Sequence, residues 1–302
     1  MSRRDGIDRF RVRPGEKVRL ADHDTGWVPK GLRAADSESV KQRAKRHLEK
    51  RLGELRKLQG LLWSSDVYAV LVVLQGMDAA GKDGLIEHVM TGMNPQGVDV
   101  WPFKEPSREE LEHDFLWRCS KALPERGHIA VFNRSYYEEV LVVRVRPELL
   151  DPQRVPKSER GKALWKKRYD SINRFEDHLV ANGTVVVKCF LHISKEEQRR
   201  RFLARLEDPE KRWKFSLSDV EDRQRWDDYV KAYEDALEAT TTKDAPWYVV
   251  PADHKWAARA VVADILVERM RELHLEYPKI SLGQNKELMQ ARRLLEQEKG
   301  KG

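Results

Sequence analysis

The hydrophobic pattern of this chain alternates between short apolar runs and longer amphipathic segments. The apolar runs cover residues 68–74, 98–103, 128–132, 184–193 and 247–251. Apolar residues recur at helical spacing over residues 37–62, 85–93, 158–181, 218–240 and 255–274. The runs are typical of strands buried on both faces, and the amphipathic segments are typical of helices that cover them. This alternation predicts an α/β fold, a three-layer doubly wound parallel sheet.

The two ends of the chain lack this alternation. Residues 1–36 are rich in Arg, Asp, Gly and Pro without periodicity, which predicts an irregular N-terminal extension. Residues 37–278 carry the alternating segments and are expected to form a single domain, and residues 279–302 predict a charged C-terminal helical tail. Within the domain, a basic helical hairpin over about 195–220 is expected to act as a lid.

A glycine-rich turn joins the first apolar run to the helix that follows it. Gly76, Gly81 and Lys82 fit the pattern G-x-x-x-x-G-K, in which backbone N–H groups point into the turn and the helix presents the positive end of its dipole. Strand, turn and helix occur in the order that a phosphate-binding loop (P-loop) requires. The residues expected to contact phosphate are Gly76, Ala79, Ala80, Gly81, Lys82 and Asp83.

Two acidic residues of this turn depart from the usual phosphate loop. Asp83 stands where a Ser or Thr normally offers its hydroxyl to Mg²⁺, and Asp78 lies inside the turn, where it would repel phosphate. A metal ion would remove that repulsion, so Asp78 is expected to bind Mg²⁺ or, alternatively, Mn²⁺. The other interpretations are that Asp78 caps its own turn and that Asp83 is a first-turn acid facing the helix dipole.

A second group of candidates follows the apolar run 128–132. In phosphate-loop enzymes this strand commonly ends in an acid that holds Mg²⁺, but here it ends in Asn133. Asn133 brings no charge, so Glu138 or Glu139 is expected to supply the missing carboxylate to the metal. Arg134 offers a planar fork to phosphate oxygens, the alternative being a structural ion pair. Asn133, Arg134 and Glu138 are therefore candidates for nucleotide binding.

Basic residues outside the glycine-rich turn supply further candidates. Lys104 lies in a strand-to-helix loop, and such loops gather at the carboxyl edge of a parallel sheet, so Lys104 is expected to meet a nucleotide. Arg201 and Arg205, at i and i+4 of one predicted helix, are expected to close over a phosphoryl group, with Lys214 in the same lid. The alternative for Lys104 is a surface lysine without a ligand, and the alternative for Arg201 and Arg205 is a solvated charged helix.

The charge balance and the cysteines narrow the class of protein. With 57 Lys and Arg against 50 Asp and Glu, the formal net charge is +7, which suits a polyanionic substrate without choosing among nucleotide, nucleic acid and polyphosphate. Cys119 and Cys189 lie in apolar surroundings without metal-ligand spacing, which favours a reduced intracellular protein. No apolar run resembles a signal peptide or a membrane span, so a cytoplasmic protein without a membrane partner is expected.

Five stretches of the chain are highly specific when taken together. They are Gly76-Met-Asp-Ala-Ala-Gly-Lys-Asp83, Trp101-Pro-Phe-Lys-Glu-Pro-Ser107, Asp114-Phe-Leu-Trp-Arg118, Asn133-Arg-Ser135 and Asp208-Pro-Glu-Lys-Arg-Trp-Lys214. These stretches resemble those of the type 2 polyphosphate kinases, a phosphate-loop family related in fold to thymidylate kinase. The resemblance covers most of the chain, over roughly residues 37–273.

The resemblance implies phosphoryl transfer between inorganic polyphosphate and a nucleotide, with Mg²⁺, in a cytoplasmic homodimer or homotetramer. It implies that the loop acid, here Asp78, and the strand-end acid organise the metal, although much of the family has Asp where this chain has Asn133. Asn-Arg-Ser followed by two acids resembles the subgroup that phosphorylates both AMP and ADP. The expected substrates are therefore polyphosphate and adenine, or alternatively guanine, nucleotides.

The chemistry of the candidate residues agrees with this expectation. A loose phosphoryl transition state needs positioning and charge neutralisation, and the candidate catalytic residues are Asp78, Lys82, Arg134 and Arg201. One rival function is an ATP-dependent nucleoside or nucleotide kinase, which normally keeps Ser or Thr at the position of Asp83. The other is a basic nucleic-acid-binding protein with a degenerate loop. Intact Lys82 argues against degeneration, so nucleic acid is not expected as a partner.

Overall fold

A parallel sheet forms the centre of the computed structural model, which describes residues 6–28 and 37–298 of the chain. Its strands are β1 (Ala69–Gly76), β2 (Val98–Pro102), β3 (Ile129–Asn133), β4 (Thr184–His192) and β5 (Trp247–Pro251). Their order is β2-β3-β1-β4-β5, and each neighbouring pair is parallel. Because β2 and β3 lie on one side of β1 and β4 and β5 on the other, the sheet is doubly wound, and the predicted fold class is confirmed.

Helices precede, connect and follow these strands. They are α1 (Ser37–Ser65), α2 (Lys82–Val89), α3 (Arg108–Leu111), α4 (Trp117–Ser120), α5 (Val142–Val145), α6 (Lys162–Ala181), α7 (Lys195–Glu207), α8 (Leu217–Gln224), α9 (Trp226–Thr240), α10 (Lys255–Arg271) and α11 (Leu282–Glu298). A capping box between Ser107 and Glu110 opens α3. Two short 3₁₀ turns matter for the site, Tyr136–Val140 after β3 and Arg212–Lys214 after α7.

The two faces of the sheet bury separate hydrophobic clusters. Val70, Val72 and Leu74 of β1 point to one face, where they pack with apolar residues of α1, α2 and α10. Leu71 and Val73 point to the opposite face, which α6 and α9 cover. All of β1 is buried because successive side chains of a strand alternate between the faces and both faces carry helices. The helices and the sheet therefore form the predicted three layers.

The segment after the basic hairpin differs from the single helix expected over residues 218–240. Ser216 caps the start of α8, which begins at Leu217. The helix is interrupted at Arg225, between α8 and α9. The guanidinium of Arg225 donates a hydrogen bond to the carbonyl of Val145 at 2.8 Å. This tertiary hydrogen bond accompanies the break, which local helix propensity does not predict.

The described part of the N-terminal extension, residues 6–28, is irregular but packed on the domain. The backbone N–H of Val12 donates to the carbonyl of Trp247 in β5 at 2.9 Å. The hydroxyl of Thr25 donates to Asp253, just beyond β5, at 2.7 Å. Because one contact lies on the last strand and the other just beyond its end, this segment runs along the β5 edge of the sheet.

The C-terminal tail is a helix on the surface. Each residue from 276 to 297 is exposed, including the apolar side chains of α11. The remaining parts of the predicted end segments, residues 1–5, 29–36 and 299–302, lie outside the described residues. Among the helices of the described residues, none combines the length and the apolar character needed to cross a membrane.

Candidate functional site

The glycine-rich turn between β1 and α2 encloses the buried side chain of Lys82. Gly81 adopts a φ of +103°, a left-handed conformation that favours glycine, and α2 begins at the next residue. The Nζ atom of Lys82 donates a hydrogen bond to the carbonyl of Gly76 at 2.6 Å. Burial and, secondarily, the charge of Arg134 lower the pKa of Lys82 to about 8. The turn therefore holds a cation whose protonation changes slightly above neutral pH.

Arg134 joins this turn to the end of β3. One terminal nitrogen of its guanidinium donates to Oδ1 of Asp78 at 2.6 Å, and the other donates to Oε2 of Glu138 at 2.9 Å. The charges of Glu138 and, to a smaller extent, Asp78 raise the pKa of Arg134, so the guanidinium stays charged. Arg134 has a φ of +67°, which is uncommon outside glycine and often occurs at functional sites. Three candidates from two separate stretches of the chain thus lie together.

Asn133 and Asp83 also meet beside the turn. β3 pairs with β1 so that Asn133 lies opposite Leu74, two residues before the turn begins at Gly76. The Nδ2 atom of Asn133 donates to Oδ1 of Asp83 at 2.8 Å. Asp83 is exposed in the first turn of α2. The strand end and the helix start therefore place one amide and one carboxylate at the same point.

Glu139, the other acid expected at the metal, lies away from the turn, and the structure does not bring it together with the other candidates. Its side chain is buried, and its Oε2 accepts hydrogen bonds from Arg168 at 3.1 Å and from Gln153 at 2.6 Å. Burial raises the pKa of Glu139, although Arg168 opposes that effect. Neighbouring residues of the 3₁₀ turn point in different directions, so Glu138 is the acid that faces the glycine-rich turn.

Arg201 lies beneath the glycine-rich turn instead of extending over it, which corrects the expectation of an open lid residue. Its Nε donates to Glu197 at 2.7 Å, and its side chain is 7% exposed. The terminal nitrogens donate to the carbonyls of Ala79, Ala80, Ala252 and Asp253, at 2.6 to 3.0 Å. With all five N–H groups engaged, Arg201 holds the backbone of the turn against the end of β5.

The predicted lid is anchored at its base. Gln198 of α7 donates to the carbonyl of Asp78 at 3.0 Å. The start of α7 therefore helps to hold the glycine-rich turn in place. Arg205 forms an ion pair with Asp219 of α8 at 3.6 Å, which joins the two arms of the hairpin. Lys214 ends the 3₁₀ turn at the hairpin tip, and its side chain lies outside the described residues.

A cavity of about 410 Å³ opens behind the loop that carries Lys104. Lys104 is exposed, and its carbonyl accepts a hydrogen bond from Arg118 at 2.8 Å. Phe103, the residue before it, donates through its backbone to Asn133, so this loop leaves the sheet at the same edge as the site. The cavity is lined by apolar, neutral polar and charged side chains, among them Glu110, Phe115, Arg118, Gln153, Leu164 and Arg168.

The acidic residues of the site suit a magnesium ion that also binds phosphate. Within residues 6–28 and 37–298, no three His, Cys, Asp or Glu side chains converge as a ready-made metal cage. Mg²⁺ prefers oxygen ligands and commonly takes one or two carboxylates from the protein and the rest from phosphates and water. Asp78 and Glu138, held side by side by Arg134, fit that donor set.

A buried polar network behind the site was not predicted from the sequence. Lys188 of β4 and Glu176 of α6 form an ion pair at 2.5 Å, with neither side chain exposed, and burial lowers the pKa of Lys188. Glu176 also accepts hydrogen bonds from the hydroxyls of Tyr136 and Tyr137. These tyrosines open the 3₁₀ turn that carries Glu138, so the network fixes that turn. The sequence signal for this network is a lysine inside an apolar run, but the run does not indicate which residue pairs with that lysine.

Comparisons with known proteins agree with this arrangement. A family model described as Polyphosphate kinase 2 matches residues 38–278. An ADP-polyphosphate phosphotransferase of Rhodopseudomonas palustris is 52% identical over 95% of this chain and 97% of its own length. An AMP/ADP-polyphosphate phosphotransferase of Meiothermus ruber is 46% identical over 90% of this chain and 96% of its own length.

A solved structure is also similar to this chain over nearly its whole length. The crystal structure of polyphosphate kinase 2 from Arthrobacter aurescens TC1 matches with a TM-score of 0.80 at 39% sequence identity. That match covers 93% of this chain and 95% of the other. The similarity therefore includes the sheet, the glycine-rich turn and the basic hairpin, and does not depend on one motif.

Proposed function

Because the chain belongs to the polyphosphate kinase 2 family, we propose that it transfers phosphoryl groups between inorganic polyphosphate and the adenine nucleotides AMP and ADP. With AMP as acceptor the product is ADP, and with ADP as acceptor it is ATP. The observation that carries the proposal is a convergence of cations and carboxylates at one glycine-rich turn. Its members are Lys82, Arg134, Asp78, Asp83 and Glu138.

Lys82 and Arg134 are the groups that stabilise the transferred phosphoryl group. Its transition state spreads negative charge over the equatorial oxygens, and cations held in advance at that point lower its energy. The backbone N–H groups of the turn and the dipole of α2 act in the same direction. Alignment of donor and acceptor supplies the rest of the catalysis, so no covalent enzyme intermediate is required.

Asp78 and Glu138 are the residues proposed to hold Mg²⁺, with Mn²⁺ as the alternative ion. When bound, the ion neutralises phosphate charge that would otherwise repel these carboxylates. Arg134 already pairs with both acids and keeps them at one side of the turn. A phosphate that reaches the site would therefore meet the guanidinium that pairs with both acids and, within the turn, the lysine Lys82.

The cavity behind Lys104 is proposed to receive the nucleoside of the acceptor. Its volume, about 410 Å³, falls within the roughly 300–1,000 Å³ of small-molecule sites. Lys104 and Arg134, which do not line the cavity, are then proposed to contact the acceptor phosphates as these reach the turn. The Meiothermus ruber relative, whose name includes AMP and ADP, supports acceptors of both lengths.

The family also supports an assembly and a location for this enzyme. We propose that it acts in the cytoplasm as a homodimer or a homotetramer, as the resemblance implies. Sedimentation velocity of the full chain measures the assembly directly. A monomer at all concentrations would reject that part of the proposal and leave the transfer reaction untouched.

The transfer reaction is tested with one nucleotide at a time. The full chain is incubated with Mg²⁺, polyphosphate and AMP, ADP, GMP or GDP, and the products are separated by ion-exchange chromatography. We expect AMP to yield ADP and then ATP, and ADP to yield ATP. ATP from ADP without any ADP from AMP would restrict the proposal to an ADP kinase. No product from any of the four nucleotides would reject it.

A donor control separates this proposal from an ATP-dependent nucleotide kinase. The same incubations are run with ATP in place of polyphosphate, and with Lys82→Ala as the inactive variant. We expect polyphosphate to support a far higher rate than ATP. Phosphorylation that requires ATP and does not respond to polyphosphate would favour the alternative kinase.

A further inference from the structure

A short turn around Thr25 fixes the N-terminal extension on the domain. A carboxylate oxygen of Asp24 accepts a hydrogen bond from the backbone N–H of Gly26 at 3.0 Å, which closes the turn. The ring of Trp27 meets the buried ring of Phe10 edge to face, with 4.9 Å between the ring centroids. Thr25 lies between these two contacts in the sequence, so its position on the domain is well defined.

Thr25 makes two hydrogen bonds to a single residue beyond β5. Its hydroxyl donates to Oδ2 of Asp253 at 2.7 Å, and its carbonyl accepts from the backbone N–H of Asp253 at 3.1 Å. The other carboxylate oxygen of Asp253 accepts from the backbone N–H of Ser194 at 2.7 Å. Because Ser194 caps α7, Asp253 connects the N-terminal extension to the start of that helix.

Two routes lead from Asp253 to the glycine-rich turn. In the first, the carbonyl of Asp253 accepts from Arg201 at 3.0 Å, and Arg201 also donates to two carbonyls of the turn, each at 2.9 Å. In the second, Gln198 of the helix that Ser194 caps donates to the preceding carbonyl of the turn at 3.0 Å. Both routes therefore end at the carbonyls of residues 78–80.

The hold on these carbonyls matters for the groups that face phosphate. In a trans peptide the C=O and the next N–H point in opposite directions. The carbonyls held by Gln198 and Arg201 therefore orient the N–H groups of Ala79 and Gly81 toward the other side of the turn. Phosphate binding at such a turn depends on where its N–H groups point.

We propose that Thr25 and Asp253 are positioning residues of the glycine-rich turn, which hold its backbone in the geometry for phosphate through Arg201 and α7. The inference rests on the proposed function in that this turn binds phosphate. Thr25 precedes residues 38–278, the part that the family model matches, so family membership does not supply its role. Loss of the Thr25 hydroxyl removes a hydrogen bond from Asp253 and gives the loop beyond β5 more freedom.

Hydrogen exchange of the full chain, followed by mass spectrometry, tests the hold on the turn without any ligand. Thr25→Val removes the hydroxyl at nearly constant volume, and Thr25→Ala removes it without adding bulk. Both variants should raise the exchange rate of a peptide that covers residues 76–84 by about three- to tenfold, the effect of losing one hydrogen bond. Thr25→Ser keeps the hydroxyl and should exchange like the unchanged chain.

Calorimetric titration of tripolyphosphate at pH 7 tests the consequence for phosphate binding. Thr25→Val and Thr25→Ala should bind tripolyphosphate about three- to tenfold more weakly than the unchanged chain, because the N–H groups of the turn are held less firmly. Thr25→Ser should restore the affinity, since a serine hydroxyl also donates to a carboxylate.

The matched control is Thr241→Val, which removes a different hydroxyl between the N-terminal extension and the domain. The hydroxyl of Thr241 donates to the carbonyl of Val12 at 2.9 Å and accepts from the backbone N–H of Trp247, where β5 starts. Asp253 follows the opposite end of that strand. Thr241→Val should therefore lower the thermal midpoint but leave the exchange of residues 76–84 and the affinity for tripolyphosphate unchanged.

Several results would overturn the inference. They are an unchanged chain that binds no tripolyphosphate, and Thr25→Val or Thr25→Ala with unaltered exchange or affinity. A loss in Thr25→Ser as large as in Thr25→Val would also overturn it. The same holds if Thr241→Val loosens the turn and weakens binding as much as Thr25→Val, because the effect would then be a general loss of stability.

The outcome is distinguishable from that of the transfer assay. A chain whose affinity for tripolyphosphate depends on Thr25, but which transfers nothing from polyphosphate, would reject the proposed function and keep this inference. A chain that phosphorylates AMP or ADP from polyphosphate, with exchange and affinity indifferent to Thr25, would keep the proposed function and reject the inference.

Discussion

Lys82 is the residue at which we expect pH to act. Its pKa, lowered to about 8 by burial, means that the lysine loses its charge as the pH rises through that value. A bound phosphate favours the charged form, so binding above pH 8 requires the uptake of a proton. Affinity for tripolyphosphate should therefore weaken with rising pH, by up to about tenfold per unit above pH 8.

The measurement is calorimetric titration of tripolyphosphate into the full chain between pH 7 and pH 9.5. Lys82→Arg is the matched comparison, because a guanidinium keeps its charge throughout this range. Titration of the ligand affects both proteins equally, so the difference between their pH profiles reports Lys82. Identical profiles would mean that Lys82 does not change its charge in this range.

Loss of single charges at the turn should stop catalysis without unfolding the protein. Lys82→Ala removes a phosphate contact and Asp78→Asn a metal-binding carboxylate, and a loss of about 10² to 10⁴ in turnover is ordinary for such groups. Asp99→Asn, at an exposed acid of the edge strand β2, is the control and should keep its rate. Near-normal turnover in either site variant, measured with polyphosphate and ADP, would contradict the assignment.

At the scale of elements, Arg201 joins α7, the glycine-rich turn and the end of β5. Its removal takes a hydrogen-bond donor away from four backbone carbonyls, whereas Glu197 keeps its hydrogen bonds from Arg200. We expect Arg201→Ala to lower the free energy of unfolding by about 2–4 kcal/mol, because buried groups lose their hydrogen bonds. Turnover should fall as well, since the same contacts hold the backbone of the turn.

Arg205→Ala is the control for that element, and chemical denaturation with circular dichroism compares the two variants. Arg205 lies on the same helix, where it pairs with Asp219 at 3.6 Å, partly in solvent, and lies over the ring of Phe202. Its loss should cost less than about 1 kcal/mol of unfolding free energy. Equal, small effects from both variants would show that α7 is held to the turn by other contacts.

At the scale of the whole molecule, the C-terminal tail is expected to be dispensable for the folded domain. Residues 276–297 are exposed, whereas the sheet and the helices on both of its faces bury their apolar residues without it. A chain that ends at Pro278 should keep its thermal midpoint within about 2 °C and its rate of transfer. A lower midpoint in differential scanning calorimetry would reveal contacts that the tail makes in the assembly.

The local sequence determined the sheet, its covering helices and the glycine-rich turn. The spacing of apolar residues along the chain follows the positions that are buried. For that reason β1 and the amphipathic helices can each be recognised from their own segment of sequence. The turn is recognisable for the same reason, because Gly81 and Lys82 act through backbone shape and through the helix that starts there. Edge loops such as that of Lys104 follow from parallel strand order.

The tertiary structure decided which charged side chains meet. Glu138 and Glu139 are neighbours in the sequence, yet one faces the turn and the other is buried against Arg168 of α6. Arg201 has the spacing of a lid residue, but carbonyls that follow β5 take up its N–H groups. Asp83 finds its amide partner on a different strand. Such contacts depend on packing between distant segments, and local periodicity contains no information about them.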